Sequence, residues 1–333
     1  MDYIAREKLL KVYNVNLKNE STIYAPRRLR GLGLVSTRKE IQIQHFAIAK
    51  KLSKVDDELF HSIYDCEAEM DSCKEALGVK GETPRELRKA WRTEEYENWC
   101  KMNYASMGVK HYAIHPRANR FVSEKCGLSG SEWTAAIKLS FNYANLAGVP
   151  GTQMSNRYCR RCGNGEIETI AHVLGKCAFG LNRRIARHHT LKHKLANMLR
   201  EKGLYTVDEA YCEDQAGSSR FIDILAFQPG TNRAYIIDPT IRFEGNDDMD
   251  KTVREEKERI YRPCIPDLGE RYKAYGRREF EVLGIWLGAR GTVGRSLVEL
   301  FERFGLDKSK LPELAETALT DSIRIIHHHI YAA

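Results

Sequence analysis

The clearest alternation of apolar and polar positions lies in the second half of the chain. Residues 218–245, SSRFIDILAFQPGTNRAYIIDPTIRFEG, are two apolar stretches around Pro229-Gly230, a pair typical of turns. They predict a β-hairpin, and residues 278–288, REFEVLGIWLG, predict a third strand. Helical spacing of apolar residues recurs over 181–202, 247–262 and 266–276, and in RSLVELFERFG after the third strand. This order predicts an α/β fold with three strands and helices around them.

The first 150 residues show helical periodicity instead. A helix that starts with Ser36 or Thr37 as its N-cap follows a tight glycine loop. Its apolar face is predicted to carry Ile41, Phe46, Ile48 and Leu52. A second helix starts at Thr83-Pro84, a favourable cap and first-turn pair, and is predicted to turn Leu87, Trp91 and Trp99 inward.

Charge is concentrated in one window. Between Arg157 and Arg200 there are ten lysines and arginines and two acids, a net +8 that equals the formal charge of the whole chain. Such a patch favours a polyanionic partner, and the alternative is a solvated face that balances acids elsewhere. The residues expected to contact nucleic acid are Arg160, Arg161, Arg183, Arg184, Arg187, His188, Lys192 and Lys194.

Membrane and secreted classes are not favoured. No apolar run approaches the roughly 18 residues of a membrane span, and the start MDYIAREKLLKVYN lacks the apolar core of a signal peptide. Six of the nine cysteines are scattered, which suits free thiols in a reducing compartment.

Three clustered cysteines predict a metal site. Cys159-x2-Cys162-x9-His172-x4-Cys177 offers three thiolates and one imidazole, the four ligands of a closed structural zinc site. The alternative is chance clustering of buried cysteines. The triplet His327–His329 is predicted to be basic surface, because three adjacent histidines cannot easily converge on one ion within a helix.

Each strand of the predicted hairpin has an aspartate near its centre. If Phe227 pairs with Asn232 across a four-residue loop, Asp223 and Asp238 lie on one face, two positions apart diagonally. Two close carboxylates must share a proton or a cation, and Mg²⁺ suits such a pair. The alternative is that both acids face solvent and hydrogen-bond locally.

The helix after the hairpin, DDMDKTVREEKERIYRP, supplies a basic group for such a pair. Lys251, Lys257 and Tyr261 are its candidate site residues, and a lysine at the acids could orient or deprotonate an attacking water. Glu244 is a further candidate metal-binding or base carboxylate, with an exposed loop acid as the alternative. The structural alternative for the helix is a solvated surface with i,i+4 ion pairs.

The order of these motifs resembles the C-terminal half of the protein encoded by site-specific non-LTR retrotransposons. In that class a CCHC knuckle precedes an Arg-His-Asn motif, two aspartate strands and a helical lysine and tyrosine. The corresponding segments here are the cysteine cluster, RHH (187–189), RFID (220–223), IIDP (236–239) and REEKERIY (254–261), and RLRGLGL (28–34) is similar to the entry of a reverse-transcriptase thumb.

The resemblance implies a PD-(D/E)xK restriction-like endonuclease core, a small mixed sheet flanked by helices, behind a CCHC zinc knuckle and a mostly helical N-terminal region. It divides the chain into a thumb-like segment (1–65), a helical linker (66–155), the knuckle (156–182) and the endonuclease (183–333). It implies that Asp223 and Asp238 hold catalytic Mg²⁺ or Mn²⁺, with Lys257 preferred to Lys251 as the catalytic lysine.

The implied activity is nicking of double-stranded target DNA, whose free 3′ hydroxyl primes reverse transcription in the nucleus. Element RNA is the second expected partner, and the remainder of the polyprotein would be present in cis, since this chain is expected to be a fragment or remnant of a longer protein.

The motifs depart from the family pattern at several positions. Phe221-Ile222 replaces the basic residue and proline before the first acid, His189 replaces the asparagine, and Thr240 stands where many such nucleases have lysine. A catalytically inactive nucleic-acid-binding module is therefore the alternative to the nuclease, and a purely structural zinc protein is a third reading.

Overall fold

The structure of the protein, a computed structural model, describes residues 20–152, 154–276 and 278–332. These residues divide into two compact units, with the division between Ser106 and Met107. The described part of the first unit is helical, and the second unit carries the sheet. Within the described ranges, no helix is both long and apolar enough to cross a membrane.

The described part of the first unit has five α-helices, four of which begin with a short polar N-cap side chain. These helices are α1 (Ser21–Tyr24), α2 (Thr37–Leu52), α3 (Glu58–Ile63), α4 (Cys66–Leu77) and α5 (Pro84–Cys100). The side chain of Ser36 accepts a hydrogen bond from the Lys39 backbone N–H, so Ser36 rather than Thr37 is the cap of α2. Thr83 caps α5 in the same way, as predicted, and Leu87, Trp91 and Trp99 are buried along that helix as predicted.

The predicted apolar face of α2 needs a correction. The buried residues are Ile43, Phe46 and Ala49, whereas Ile41 is 49% and Ile48 is 53% exposed. At about 100° per residue, Ile41 and Ile48 point nearly opposite to Ile43. The predicted set therefore mixed two faces of one helix.

In the second unit a series of helices precedes and then surrounds a four-stranded sheet. The helices are α6 (Phe121–Glu124), α7 (Gly130–Ser140), α8 (Ile170–Gly175), α9 (Leu181–Glu201), α10 (Met249–Tyr261), α11 (Ile265–Arg271), α12 (Arg295–Arg303) and α13 (Leu311–Tyr331). The strands are β1 (Tyr205–Glu213), β2 (Ser219–Phe227), β3 (Arg233–Arg242) and β4 (Glu279–Gly288).

The sheet is mixed, with strand order β1-β2-β3-β4. The β1–β2 and β2–β3 pairs are antiparallel, and β3–β4 is parallel, with α10 and α11 in the connection. The prediction of a small mixed sheet flanked by helices is confirmed. The three-strand prediction missed β1, an edge strand that is largely half-exposed and carries Asp208 and Glu209, residue types that are uncommon in strands.

Two apolar layers cover the sheet. On one side α9, α12 and α13 bury Leu195, Leu300 and Leu314 against strand residues such as Ile224 and Ile237. On the other side α10 and α11 contribute Tyr261 and Leu268, which pack with Leu225 and Ile236. The sheet is thus covered on both faces by apolar side chains.

Candidate active site and metal centre

The two hairpin aspartates lie where β2 and β3 part. The ladder between these strands runs from Phe227↔Ala234 to Ile224↔Ile237. One further step in this register places Asp223 opposite Asp238, so both side chains are on one face. Both line a cavity of about 370 Å³. The predicted pairing of Phe227 with Asn232 was wrong by two residues, since Phe227 pairs with Ala234. A shift by an even number of residues leaves each side chain on the same face of the sheet, so the prediction that the two acids share a face still holds. The acids are directly opposite each other rather than diagonal neighbours.

Asp238 is buried and held by three side chains. Its Oδ2 lies 2.9 Å from Nζ of Lys257 and accepts a hydrogen bond of 2.8 Å from the hydroxyl of Tyr261. Its Oδ1 accepts from Thr240 at 3.1 Å. Lys257 and Tyr261 are one turn apart on α10, so one helix face delivers both.

Lys251 does not reach the acids. Its side chain is 73% exposed, and its nearest charged partner is Glu255, at 3.9 Å on the same helix. Of the two candidate lysines, the structure thus brings only Lys257 to the acid pair.

A glycine in β4 allows α10 to lie close enough for this contact. Gly284 is the register partner of Asp238. A Cβ at this position would lie 2.9 Å from the backbone oxygen of Val253 and 3.0 Å from Cγ of Lys257. The missing side chain therefore makes room for the stem of Lys257 above the sheet.

Asp223 is held from the other side, by α9. Nε2 of His188 lies 3.1 Å from its Oδ1. Burial raises the pKa of Asp223, with a further increase from the charge of Asp238, and outweighs the lowering by the His188 hydrogen bond. The same hydrogen bond raises the pKa of His188, and burial with the nearby acids raises that of Tyr261, which remains a hydrogen-bond donor at neutral pH.

Two arginines line the same cavity. Arg187 is buried and donates to Ser322 Oγ at 2.7 Å and to the Leu174 carbonyl at 3.0 Å. Burial lowers its pKa to about 10, so it remains charged at neutral pH. Arg184 also lines the cavity, where it donates to the Cys177 carbonyl. The cavity thus combines a carboxylate pair with cationic groups that can face an anion.

The basic window is not one open patch, which corrects the prediction. Lys192 is buried and paired with Glu209, and Arg160 is paired with Glu168. Arg161 donates to backbone carbonyls at the end of α13. Only Arg183 and Lys194 of the eight predicted contact residues stand as exposed cations on α9. The reason is helical periodicity, which turns part of a basic helix toward the sheet.

Glu244 lies outside this cavity. Its side chain is fully buried, with Oε2 2.9 Å from Nε of Arg290 and Oε1 accepting from Thr292 at 2.7 Å. The Arg290 guanidinium lowers the pKa of Glu244 against the opposing effect of burial. Neither the expected contact with the acid pair nor the exposed-loop alternative fits this buried ion pair.

The cysteine cluster has the geometry of a metal centre. The four donor atoms of Cys159, Cys162, His172 and Cys177 lie within 4.8 Å of one another. The Cys159–Cys177 sulfurs are 3.8 Å apart, and Cys162 Sγ is 3.5 Å from His172 Nε2. Ligands at tetrahedral zinc distances are separated by about 3.8 Å (S–S) and about 3.5 Å (S–N).

Local sequence explains how these donors are presented. Gly163 and Gly165 have φ of +65° and +68°, which turns the chain sharply after Cys162. Thr169 caps α8, which carries His172, and Cys177 lies just beyond the end of that helix. Burial lowers the pKa of His172, so its ring is neutral, as a metal ligand requires.

The C-terminal histidine triplet is not simply basic surface, and that expectation is wrong for His329. His329 is 1% exposed, and its ring nitrogens lie 3.8 Å from the sulfurs of Cys159 and Cys177. Its Nε2 is also 2.9 Å from Oε1 of Glu168. His327 and His328 are partly exposed.

No protein-family model matches the chain. The chain is similar to Pol polyproteins of R2 retrotransposable elements. It is 27% identical over 274 residues to the retrovirus-related Pol polyprotein from a type-1 element R2 of Popillia japonica, covering 80% of this chain and 36% of that protein. It is 26% identical over 281 residues to the polyprotein from the type-2 element R2DM of Drosophila melanogaster, covering 80% and 25%.

A further polyprotein from Popillia japonica is 24% identical over 295 residues, which cover 87% of this chain and 60% of that protein. The chain therefore spans between a quarter and three fifths of the relatives' lengths. These similarities confirm the expected relationship to retrotransposon proteins.

Proposed function

We propose that this chain is a metal-dependent DNA endonuclease that nicks target DNA as part of a retrotransposon polyprotein. The observation that carries the proposal is the convergence of Asp223, Asp238 and Lys257 on one cavity. Two carboxylates from β2 and β3 and a lysine from α10 meet in this partly buried site, an arrangement suited to hydrolysis of a phosphodiester.

The acid pair fits a hard divalent cation. Among the described residues, Oδ1 of Asp223 accepts from His188, whereas its Oδ2 has no hydrogen-bond donor. The raised pKa of Asp223 reflects burial and the neighbouring charge of Asp238, both of which a cation would offset. Asp223 and Asp238 would hold Mg²⁺ or Mn²⁺, which would supply charge neutralisation and water activation when bound.

The remaining side chains have distinct proposed roles. Lys257, fixed by Asp238, orients the attacking water or assists its deprotonation. Tyr261 stays protonated and holds Asp238 in place by its hydrogen bond. Arg187 and Arg184 face the cavity as cations and bind the phosphate that would enter it.

We also propose that the cysteine cluster holds one structural zinc ion. Three thiolates and one neutral imidazole complete its coordination, so no position is left open for a substrate. The proposed partners are double-stranded target DNA, element RNA and the rest of the polyprotein in cis. The nick would release a 3′ hydroxyl that primes reverse transcription in the nucleus.

Nicking of a supercoiled plasmid in Mg²⁺ or Mn²⁺ tests the proposal. Asp223→Asn should abolish nicking and leave duplex binding within about twofold, since phosphate contacts dominate affinity. Asp208→Asn is the matched control, because Asp208 is a strand aspartate paired with Arg200 away from the cavity. Metal-independent nicking, or equal nicking by parent and Asp223→Asn, would refute the enzyme. Salt-sensitive binding without nicking would leave the inactive binding module.

A further inference from the structure

A residue in the last turn of α13, His329, contacts the cysteine cluster without being one of its four donors. Nε2 of His329 faces both Glu168 Oε1, at 2.9 Å, and Cys159 Sγ, at 3.8 Å, while its Nδ1 lies 3.8 Å from Cys177 Sγ. All of these groups are buried, so solvent does not compete for the ring. A side chain 152 residues beyond Cys177 therefore belongs to the same buried polar cluster.

The geometry favours an outer position for His329 over that of a ligand. Two mutually close donor sets share Cys159: three thiolates with His172, and Cys159 with Glu168 and His329. The first is already a full tetrahedral set of four donors, whereas the second has three. Glu168 is not a free metal ligand either, because its carboxylate oxygens are already used in hydrogen bonds. It accepts from the Arg160 backbone and guanidinium and from the Ala147 N–H as well as contacting His329.

We infer that His329, held by Glu168, is a positioning residue of the proposed zinc centre and makes the end of α13 part of that centre. The inference rests on the proposed zinc site. The Nε2–H of His329 donates to Glu168 and also faces Cys159 Sγ. An imidazole N–H directed at a metal-bound thiolate spreads the thiolate charge and fixes its orientation, and outer partners of this kind raise metal affinity.

A second set of contacts supports the same connection. Arg161 lies between the first two cysteines of the cluster, and its Nε donates to the His329 carbonyl at 2.8 Å. A basic side chain at the carbonyl end of a helix is favourable because it meets the negative end of the dipole. The same guanidinium stacks on Phe179, whose ring also stacks on His328 at 4.8 Å between centroids.

The connection extends to the acid cavity. Ser322, on α13, accepts a hydrogen bond from Arg187, which lines the cavity. One helix thus contacts the proposed zinc centre through His329 and a cavity arginine through Ser322, about two turns earlier. Metal loading of the cluster is therefore expected to order the end of α13.

Zinc affinity of purified full-length variants, measured by competition with a chelator, tests the inference. His329→Ala and Glu168→Gln should bind one zinc per chain roughly 10–100-fold more weakly than the parent. His327→Ala is the matched control, since His327 is on the same helix and its ring contacts Tyr331; its affinity should be unchanged. The cobalt-substituted protein gives a second readout, a shifted thiolate-to-metal charge-transfer band in His329→Ala but not in His327→Ala.

Equal zinc affinity and identical cobalt spectra in the two histidine variants would overturn the inference. If His329→Ala does not fold, hydrogen exchange of the parent decides: removing zinc should speed exchange of amides near residues 323–331, and unchanged exchange overturns the inference. A parent that binds no zinc would refute the zinc site and the inference together, whereas loss of Mg²⁺-dependent nicking alone would leave both standing.

Discussion

Gly284→Ala is the substitution that tests most specifically how Lys257 is placed. A Cβ at residue 284 would lie 2.9 Å from the Val253 backbone oxygen, whereas nonbonded contacts of this kind are normally about 3.4 Å or more. Because that oxygen is part of α10, the helix must move away from β4 by roughly half an ångström. The Lys257 stem, 3.0 Å from the same Cβ position, must move with it.

We expect Gly284→Ala to lower both the free energy of unfolding and the rate of nicking. Overpacking of this kind destabilises by about 1–3 kcal/mol. Displacement of Lys257 from its 2.9 Å contact with Asp238 should slow nicking by roughly 10- to 100-fold, since a misplacement of about 1 Å can cost 10²-fold. Duplex binding should persist, because the substitution adds or removes no charge.

The assay is single-turnover plasmid nicking in Mg²⁺ with saturating protein, at a temperature where every variant is folded. Gly269→Ala is the control, because nothing lies within 4 Å of the Cβ it adds in α11. Gly284→Ala combined with Lys257→Ala should be no slower than Lys257→Ala alone. Parental nicking by Gly284→Ala, or fully additive effects in the double variant, would refute the reasoning.

Three further substitutions give distinct outcomes. Tyr261→Phe removes a hydrogen bond to the buried carboxylate of Asp238, so urea unfolding should show a loss of about 1.5–3 kcal/mol, together with slower nicking; unchanged stability would contradict this. Glu244→Gln breaks a buried ion pair and should cost roughly 3–5 kcal/mol in denaturant unfolding, yet the folded protein should nick at the parental rate. His188→Ala removes the hydrogen bond that lowers the pKa of Asp223, so the acid limb of the nicking pH profile, measured at subsaturating Mg²⁺, should move to higher pH; an unmoved limb would exclude that contact in solution.

The acid pair could be predicted from the sequence because its signals are local. An aspartate in the middle of each of two adjacent apolar strands is a visible anomaly, and the turn residues between them define the hairpin. The pairing register of β2 with β3 was harder to predict, because the sequence leaves the length of the loop between them ambiguous by one or two residues. An even error kept Asp223 and Asp238 on one face.

Other features depend on contacts that the sequence does not display. In the sequence, Gly284 is a glycine inside a strand, where glycine is normally destabilising. The close approach of α10, visible only in the structure, explains why a glycine is needed there. His329 lies far along the chain from the cysteines, so its position depends on how α13 packs. The signal that could have indicated it is a histidine among the apolar residues of an amphipathic helix.

The basic window shows why net charge is a poor guide to position. Its total suggested an open surface for a polyanion, but Lys192 is buried and paired with Glu209, and Arg187 is buried at the acid cavity rather than on the open face of α9. Arg160 and Arg161 are used within the protein, by Glu168 and by the end of α13. Charge counts describe the long-range field, whereas helical phase decides which cations are free to bind a ligand.

A crystal of the protein grown with Mn²⁺ would test the central claim most directly. Anomalous scattering locates the metal without reference to activity, and Mn²⁺ accepts the same oxygen ligands as Mg²⁺. The account predicts an anomalous peak between the carboxylates of Asp223 and Asp238, absent in crystals of Asp223→Asn. A map with no peak at saturating Mn²⁺, and with Lys257 still paired to Asp238, would contradict it.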